Sequence, residues 1–338
     1  MTIPAVSVIM PVLNEEEHLA RSVEGVLAQD YPGEIEIILA VGPSVDRTHD
    51  IASGLASADP RLKVVDNPTG TTPNALNLAI AACSHDIIVR VDAHGELTPG
   101  YLQTAVEILG RTGAANVGGV MDARGRTPFE KAVAVAYNSR LGLGGGTFHH
   151  EDSSEGPADT VFLGCFRADA LRAVGGYDLT LHRAQDWELN YRLRKAGETV
   201  WFSPLLRVTY RPRSTVKALT HQFFKTGQWR REVMKRNPET ASARYLAPPL
   251  AVVGVAAGTA LAAAGALTGR GWPLVGLAAP LGYATLIGAG SAFMKGDIEP
   301  STRTRLPLVL AVMHMAWGSG FLVGLGRKDS GAEPEETP

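Results

Sequence analysis

The chain has 338 residues, 45% of them hydrophobic, and a formal net charge of −2 at pH 7. This length allows a full-sized domain with additional segments, and the near-zero charge argues against nucleic acid as a partner. Two cysteines, Cys83 and Cys165, exclude a disulfide-stabilised secreted domain and indicate a reducing compartment.

Strand and helix patterns alternate over residues 4–110. Apolar runs rich in β-branched residues predict strands at "AVSVIMPV", "EIEIILAV", "LKVVD" and "DIIVRVD", and helical spacing predicts the intervening helices. We expect Asn14 to cap the first helix. The alternation predicts an α/β fold with a mostly parallel, Rossmann-like sheet. Ligands bind such sheets at the strands' carboxyl ends, so the turns beginning at Pro11, Gly42 and Asp92 should converge on one crevice.

From about residue 115 to residue 210 the pattern is mixed. "AANVGGVMDA" and "DTVFLGCFRADAL" indicate further strands, whereas "FEKAVAVAYNSRL" and "QDWELNYRLRKAG" indicate helices. We therefore predict one domain over residues 1–210.

The last third of the chain changes character. Residues 245–269, 271–294 and 306–326 contain no Lys, Arg, Asp or Glu. Each run is long enough to cross a hydrocarbon core, which takes roughly 20 helical residues, so we predict a three-helix transmembrane region over residues 245–326. Buried helices of a soluble protein are the alternative.

Small residues mark two predicted helix-packing faces in this region. Gly254 and Gly258 form one pair four residues apart, and Gly320 and Gly324 form the other. Such spacing lets two helices approach closely. These faces could serve packing within the chain or a homo-oligomer.

Basic residues in the loops predict the orientation. The stretch from 211 to 236 holds eight Lys or Arg and one Glu, and the second loop holds three Lys or Arg. The positive-inside rule places both in the cytoplasm. We therefore expect a multi-pass protein of the inner (plasma) membrane with its large N-terminal domain cytoplasmic. Three spans would put the acidic tail, residues 327–338, on the far side, and we expect this tail to be disordered.

Residues 211–244 form a basic, amphipathic segment before the first span. Val216, Leu219, Phe223 and Phe224 share one side at helical spacing. Such a helix can lie among lipid headgroups, with Trp229 at the interface. An ordinary surface helix is the alternative.

The carboxyl end of the fourth strand carries Asp92 and His94. A carboxylate is a hard ligand suited to Mg²⁺ or Mn²⁺, and a histidine suits Mn²⁺ better. A metal here would neutralise a leaving diphosphate. A turn or capping role is the alternative for this pair.

Five motifs occur in an order that resembles the family 2 glycosyltransferases with the GT-A fold. They are "SVIMPVLNEEEHLARSVEGVLAQDYP", "EIILAVGPSVDRT", "NPTGTTPNALNLAI", "DIIVRVDAHGELTPGYL" and "GCFRADALRAVGGYD…QDWELNYRLRKAG". The resemblance covers roughly residues 5–235 and is greatest to the membrane-anchored, succinoglycan-type (ExoA-like) branch.

The resemblance implies roles for individual residues. Asp92 and His94 match the family's metal motif, with His replacing a second Asp. The positions that match its nucleotide-sugar contacts are Pro11, Val12, Asn14, Glu15, Gly42, Asp46, Asn67, Gly70, Asn77 and Asp92. Val41 stands where the family usually has a base-contacting Asp, and the third motif lacks its usual Lys.

The family's catalytic base corresponds to Asp186, although Gln185 replaces the usual preceding Glu. An acceptor hydroxyl needs such a base, whereas an acceptor phosphate does not. Capping the following helix is the alternative role. The positions implied for acceptor or diphosphate are Gly164, Cys165, Gln185, Gln228, Trp229 and Arg230. Packing is the alternative for Cys165, and interfacial anchoring is the alternative for the last three.

The resemblance thus implies an inverting, metal-dependent hexosyltransferase that uses Mn²⁺ or Mg²⁺. Its donor would be a nucleotide diphosphate sugar, with UDP implied by the family, and its acceptor a hydroxyl of a lipid-linked saccharide. A polyprenyl-phosphate sugar synthase, a processive polysaccharide synthase and a catalytically inactive sugar-nucleotide-binding subunit are the alternatives.

Overall fold

The computed structural model describes residues 3–143, 154–181 and 183–325. The chain divides into two compact units. The first, the sheet unit, contains the described residues up to 122 and from 154 to 210. The second, the helical unit, contains residues 123–143 and 211–325. Residues 123–143 thus group with residues 211–325 and not with the rest of the predicted domain of residues 1–210. The predicted acidic tail lies outside the described residues.

Within the described residues, the sheet unit is built on a nine-stranded mixed sheet. Its strands are β1 Val6–Val12, β2 Ile35–Val41, β3 Leu62–Asp66, β4 Ile87–Arg90, β5 Glu96–Leu97, β6 Asn116–Ala123, β7 Gly156–Pro157, β8 Phe162–Arg167 and β9 Val200–Tyr210. The order is β3-β2-β1-β4-β8-β6-β9-β5, with β7 beside β9. The expected parallel pairing holds for β3-β2-β1-β4. Beyond β4 the pairs β4–β8, β6–β8, β5–β9 and β7–β9 are antiparallel, so the sheet is less parallel than predicted.

Helices cover both faces of the sheet. The described α-helices of the chain are α1 Leu19–Leu27, α2 Thr48–Ala58, α3 Thr72–Ala82, α4 Tyr101–Thr112, α5 Pro128–Tyr137, α6 Ala168–Ala173, α7 Gln185–Lys195, α8 Val216–Arg236, α9 Ala247–Thr268, α10 Ala278–Ala292, α11 Pro300–Arg303 and α12 Leu306–Val323. Successive strand residues point to opposite faces. Val8 therefore packs with Leu19 and Leu102 on one face, while Ile9 packs with Leu76 and Leu189 on the other.

The helical unit contains α5, α8 and the three long apolar helices. The segments Ala243–Thr268, Leu274–Ala292 and Pro300–Val323 are each long and apolar enough to cross a membrane. On α8, Leu219 and Phe223 are buried as the amphipathic pattern predicts, whereas Val216 is exposed. Trp229 is buried within the protein.

One glycine of each predicted small-residue pair makes a close backbone contact inside the helical unit. A Cβ on Gly320 would lie 2.0 Å from the carbonyl oxygen of Phe224, and a Cβ on Gly258 would lie 2.4 Å from that of Gly276. Among the described residues, nothing lies within 4 Å of a Cβ on Gly254. A homo-oligomer through these faces remains a prediction.

Buried Glu36 gives the sheet unit a pH-dependent stability. Its carboxylate accepts from the Ser7 hydroxyl (2.5 Å), Lys63 Nζ (2.6 Å) and the backbone N–H of Ser84 (2.6 Å). Burial by itself raises the pKa of Glu36, but the hydrogen bonds from Lys63, Ser7 and Ser84 outweigh it and lower the pKa to about 2.

We predict that this depressed pKa stabilises the fold by about 3 kcal/mol at neutral pH. The contribution is fully present above the pKa of an unfolded glutamate, 4.5, and is lost as the pH falls towards 2. Thermal unfolding of the detergent-solubilised protein should therefore lose stability more steeply below pH 4.5 than unfolding of Glu36→Gln. Parallel profiles for the two proteins would contradict the assignment.

Candidate active site at the carboxyl ends of the strands

Four turns lie at the carboxyl ends of parallel strands, and hydrogen bonds connect them. They are the first turn (residues 13–18), the second (42–47), the third (67–71) and the fourth (91–95). The Val12 carbonyl accepts from the Gly42 N–H at 2.8 Å, and the Val41 carbonyl accepts from the Asn67 N–H at 2.8 Å. The predicted convergence of the first two turns is therefore present, and the third turn joins them.

Asn14 connects the first turn to the second. Its backbone N–H donates to Ser44 Oγ at 3.0 Å, and its Oδ1 accepts from the Val45 N–H at 2.9 Å. The backbone of Asn14 is left-handed, with φ of 53°, and helix α1 begins only at Leu19. The expectation that Asn14 caps this helix is therefore wrong, because its amide is used between the two turns.

Asp46 organises the same two turns. Its carboxylate accepts from the Thr48 hydroxyl (2.5 Å) and the Glu16 N–H (3.2 Å), while Thr48 Oγ1 accepts from the Glu15 N–H (2.7 Å). Burial by itself raises the pKa of Asp46, but the hydroxyl and backbone donors around it lower the pKa overall. Both carboxylate oxygens thus bind the protein itself, so Asp46 shapes the two turns.

The third turn is held close to the second by glycines. A Cβ on Gly42 would lie 3.2 Å from the Cα of Gly70, and Gly70 has φ of 69°. The buried Asn67 side chain accepts from the Thr69 hydroxyl (3.0 Å) and the Asn74 amide (2.7 Å). Gly42, Asn67 and Gly70 therefore set the shape of the second and third turns where they meet. Val12 is buried in the core, so only its backbone faces the turns, and the Pro11 side chain is half-buried.

The Asn77 side chain contacts the backbone of Tyr177, whereas the resemblance implied a contact with the nucleotide sugar. Its Nδ2 donates to the Tyr177 carbonyl and its Oδ1 accepts from the Tyr177 N–H, both at 2.8 Å. Helix α3 thereby fixes the backbone of Tyr177, one hundred residues further along the chain. We therefore assign Asn77 to positioning Tyr177 and not to a nucleotide contact.

Arg90, the last residue of β4, brings the two key carboxylates together. It is buried, and its guanidinium binds Asp92 Oδ1 at 3.0 Å and pairs directly with Asp186 Oδ1. The guanidinium lies 5.8 Å from the centre of the Tyr177 ring. Burial by itself lowers the pKa of Arg90, but Asp186 and Asp92 raise it well above its ordinary value. Arg90 therefore stays charged and fixes both carboxylates.

Arg90 is not among the site residues predicted from the sequence. The sequence feature that could have identified Arg90 is a single basic residue inside the apolar run "DIIVRVD". A buried charge needs a partner, and both partners of Arg90 are among the predicted site residues.

His94 is paired with Glu15 of the first turn. His94 Nδ1 and Glu15 Oε1 are 2.7 Å apart. The fourth turn is fixed from behind by Ser22, whose hydroxyl donates to the Gly95 carbonyl at 3.0 Å. The Glu15 side chain is 6% exposed, and its second oxygen, Oε2, is buried without a hydrogen-bond partner among the described residues.

Asp92 and His94 fit a divalent metal only if other ligands complete the coordination of the ion. Among the described residues, no three His, Cys, Asp or Glu side chains come together to hold a metal. Magnesium is usually bound by one or two carboxylates together with substrate phosphates. Asp92, 24% exposed, and His94 suit that arrangement. The buried, unpartnered oxygen of Glu15 beside His94 also fits a nearby cation.

Asp186 lies in the first turn of α7, which begins at Gln185. No side chain among the described residues caps this helix, and the preceding Ala184 is left-handed with φ of 61°. Asp186 pairs with Arg90 instead of capping the helix, and its side chain is 30% exposed. Gln185 is buried. The arrangement therefore leaves the Asp186 carboxylate accessible from solvent.

Cys165 cannot contact an acceptor through its thiol. The side chain is fully buried in the core, and burial raises the pKa of the thiol to about 12. The predicted site role of Cys165 is therefore wrong for its side chain, and its packing alternative is correct. Gly164 lies opposite Arg90 in the β4–β8 pair. A Cβ there would lie 2.5 Å from Asn116 Oδ1, so the position requires glycine.

Gln228, Trp229 and Arg230 belong to the helical unit and have partners there. Gln228 Nε2 donates to the Gly324 carbonyl at 2.7 Å. Trp229 is buried, and the Arg230 guanidinium lies 4.3 Å from the centre of the Tyr245 ring. These contacts favour a structural role over the predicted phosphate contact.

Known proteins resemble this chain over most of its length. Residues 7–172 match the family described as glycosyl transferase family 2. The succinoglycan biosynthesis protein ExoA of Rhizobium meliloti is 33% identical over 318 residues, which cover 93% of each chain. The dolichyl N-acetyl-alpha-D-glucosaminyl phosphate 3-beta-D-2,3-diacetamido-2,3-dideoxy-beta-D-glucuronosyltransferase of Methanococcus voltae is 27% identical, covering 66% of this chain and 71% of that protein.

A solved structure shares the fold. The mannosyltransferase PcManGT of Pyrobaculum calidifontis aligns with a TM-score of 0.59 and 19% identity, covering 94% of this chain and 87% of that one. At this identity the likeness shows the fold alone.

Proposed function

Because the chain belongs to the family 2 glycosyltransferases, in the ExoA-like branch with a GT-A sheet, we propose the following reaction within polysaccharide biosynthesis. A hexose passes from a uridine diphosphate sugar, with inversion, to a hydroxyl of a lipid-linked saccharide. The observation that carries this proposal is Arg90, which holds the predicted diphosphate-side carboxylate Asp92 and the predicted base Asp186 on one buried guanidinium.

On the donor side, Asp92 and His94 would hold a divalent metal, Mn²⁺ or Mg²⁺. When bound, such an ion would neutralise charge on the leaving diphosphate. Arg90 orients Asp92. Glu15 contacts Nδ1 of His94 and would fix the orientation of its ring. The fold neighbour PcManGT was solved in complex with GDP-Man and Mn²⁺, which supports a nucleotide sugar and a divalent metal as the classes to test.

On the acceptor side, Asp186 would take the proton of the attacking hydroxyl. A hydroxyl is a weak nucleophile, and a positioned carboxylate raises its reactivity by removing the proton during attack. Arg90 holds Oδ1 of Asp186, which fixes the direction of the carboxylate. A single displacement of this kind inverts the anomeric carbon.

The apolar helices support a membrane location. We propose that the catalytic residues act at the cytoplasmic face, because the segment before the first span is strongly basic. Membrane lipid and a lipid-linked acceptor are the partners that this location implies.

The test is a donor screen followed by a transfer assay on the purified protein. We predict that one UDP-sugar raises the melting temperature with Mn²⁺ but not with EDTA, and that the same sugar is transferred to a lipid-linked saccharide. GDP-sugars serve as the comparison. Transfer to bare polyprenyl phosphate would favour the phosphate-acceptor alternative. Donor binding without turnover on any acceptor would favour an inactive subunit.

A further inference from the structure

The composition of α12 predicts a transmembrane helix, but its surroundings differ from those of α9 and α10. In its most apolar stretch, 39% of the residues are buried inside the protein, against 17% for each of the other two candidate spans. A helix that crosses a bilayer beside two others is expected to expose much of its surface to lipid. The position of α12 relative to the bilayer therefore follows from the helices that bury it.

Helices α5 and α8 precede the first span, so both lie on the side from which the chain enters the membrane, here called the entry side. Helix α8 cannot be immersed in hydrocarbon, because its charged residues include Lys217, Lys225 and Lys235. Any part of α12 that packs along α8 must therefore also lie near the entry surface.

The C-terminal half of α12 packs directly on α8. A Cβ on Gly227 would lie 2.0 Å from the Trp317 carbonyl oxygen, so the two backbones touch. Gln228 Nε2 donates to the Gly324 carbonyl at 2.7 Å, and Arg231 donates to the Phe321 carbonyl at 3.2 Å. The end of α12 is thus capped by side chains of an entry-side helix.

The segment before α11 and the middle of α12 are tied to α5 and the turn that follows it. Lys131 on α5 pairs with Glu299, just before α11, at 2.9 Å. His314 Nε2 donates to the Leu141 carbonyl at 2.7 Å. The segment before α11 and the middle and end of α12 therefore all contact segments that precede the first span.

The start of α9 gives an independent measure of depth. The Pro248 carbonyl oxygen would lie 2.5 Å from a Cβ on Gly318, and the Tyr245 ring stacks on Trp317 with centroids 6.4 Å apart. Gly318 follows Leu306 by 12 residues, about 18 Å of helix. If α12 crossed a core of ~30 Å, Gly318 would lie deep in the bilayer, yet it contacts the residues where the first span begins.

We infer that α12 does not cross the bilayer. It lies with α5 and α8 as a helical platform in the entry-side leaflet, and α9 and α10 form the membrane-crossing hairpin. The chain then has two spans, and its C-terminal end returns to the entry side. Arg327 and Lys328 follow α12 in the sequence, and the positive-inside rule favours their presence on that side. The partner of the platform is the lipid surface itself.

Cysteine labelling of the full-length protein in intact cells tests this inference. In a Cys83→Ala, Cys165→Ala background, single cysteines replace Arg270, Lys295 or Val323, all of which are exposed. Arg270→Cys lies between the spans and Lys295→Cys follows the second, so they report opposite sides under either topology. We expect Val323→Cys to react with a membrane-impermeant maleimide under the same conditions as Lys295→Cys. If Val323→Cys instead reacts under the same conditions as Arg270→Cys, the inference is overturned.

A second measurement avoids any effect of lipid depth at residue 323. With the entry side cytoplasmic, as proposed above, fusions of the chain to green fluorescent protein or to alkaline phosphatase at the C-terminus should be fluorescent and phosphatase-inactive, respectively. In that orientation the opposite pair of results means three spans. Sugar transfer is assayed separately on each cysteine variant, so a failed topology leaves the proposed activity standing, and a failed activity leaves the topology standing.

Discussion

Asp186→Asn is expected to slow sugar transfer to a hydroxyl acceptor by about 10²–10⁴-fold, the range that general-base catalysis supplies. The substitution keeps the size of the side chain and leaves an oxygen to accept from Arg90, so the arrangement around the site should persist. Donor affinity should therefore change little while kcat falls. Steady-state transfer rates and donor binding by calorimetry measure the two quantities separately.

Asp169→Asn is the matched control for this change. Asp169 lies at the start of α6, its side chain is 77% exposed, and its ion-pair partner is Arg167, outside the Arg90 cluster. The control variant should transfer sugar at the wild-type rate. Wild-type rates for Asp186→Asn with a hydroxyl acceptor would remove Asp186 as the base. If the variant were slow with a saccharide but fast with polyprenyl phosphate, the natural acceptor would be in question instead.

The arrangement of the strands was predictable because it follows from local patterns. Apolar runs rich in β-branched residues and helices of regular spacing predicted the parallel half of the sheet, and the strand ends predicted where the polar turns meet. The antiparallel half of the sheet was harder to predict from the sequence. Pairs such as β4–β8 join residues about 75 positions apart, and periodicity contains no information on which strand lies beside which.

The contacts that organise the site were not predictable for the same reason. Asn14, Asp46 and Asn77 carry side chains that suit a ligand. The structure uses Asn14 and Asp46 to hold the first turn against the second, and Asn77 to hold the backbone of Tyr177. The pairing of Glu15 with His94 spans 79 residues. Polar residues at strand ends are visible in one sequence, but those that bind a ligand and those that shape the turn have the same pattern there.

For the apolar helices too, composition and packing give different information. The absence of charge marks α12 as a candidate span, but only its neighbours reveal how much of it the protein buries. "FEKAVAVAYNSRL" was correctly predicted to be helical. Its assignment to the helical unit follows from long-range contacts that a sequence pattern does not contain.

Arg90→Met is expected to lower both stability and transfer. Removing one partner of a buried ion pair leaves the other charge unpaired, which costs 3–5 kcal/mol when both groups are fully buried. Asp92 and Asp186 are 24% and 30% exposed, so water compensates in part and we expect a loss of about 2 kcal/mol. Transfer should fall by about 10²-fold, because a carboxylate displaced by 1 Å can lose that factor.

Arg90→Lys separates charge from geometry. Lysine keeps the positive charge, so the melting temperature should stay closer to that of the wild type than it does in Arg90→Met. A single ammonium cannot reproduce the planar fork that reaches both carboxylates, so transfer should remain impaired. Equal transfer by Arg90→Lys and the wild type would show that the charge alone is sufficient.

The double variant Arg90→Met, Asp186→Asn tests whether Arg90 acts through the base. If Arg90 positions Asp186, removing Arg90 after the base is already lost should cost less than the factor measured in the wild type, because one of its two targets no longer works. The remaining cost should come from Asp92 and appear as a weaker response of the transfer rate to Mn²⁺. If the fold-losses in transfer rate of the two single variants simply multiply in the double variant, Arg90 and Asp186 act independently. The shared guanidinium would then be a structural support only.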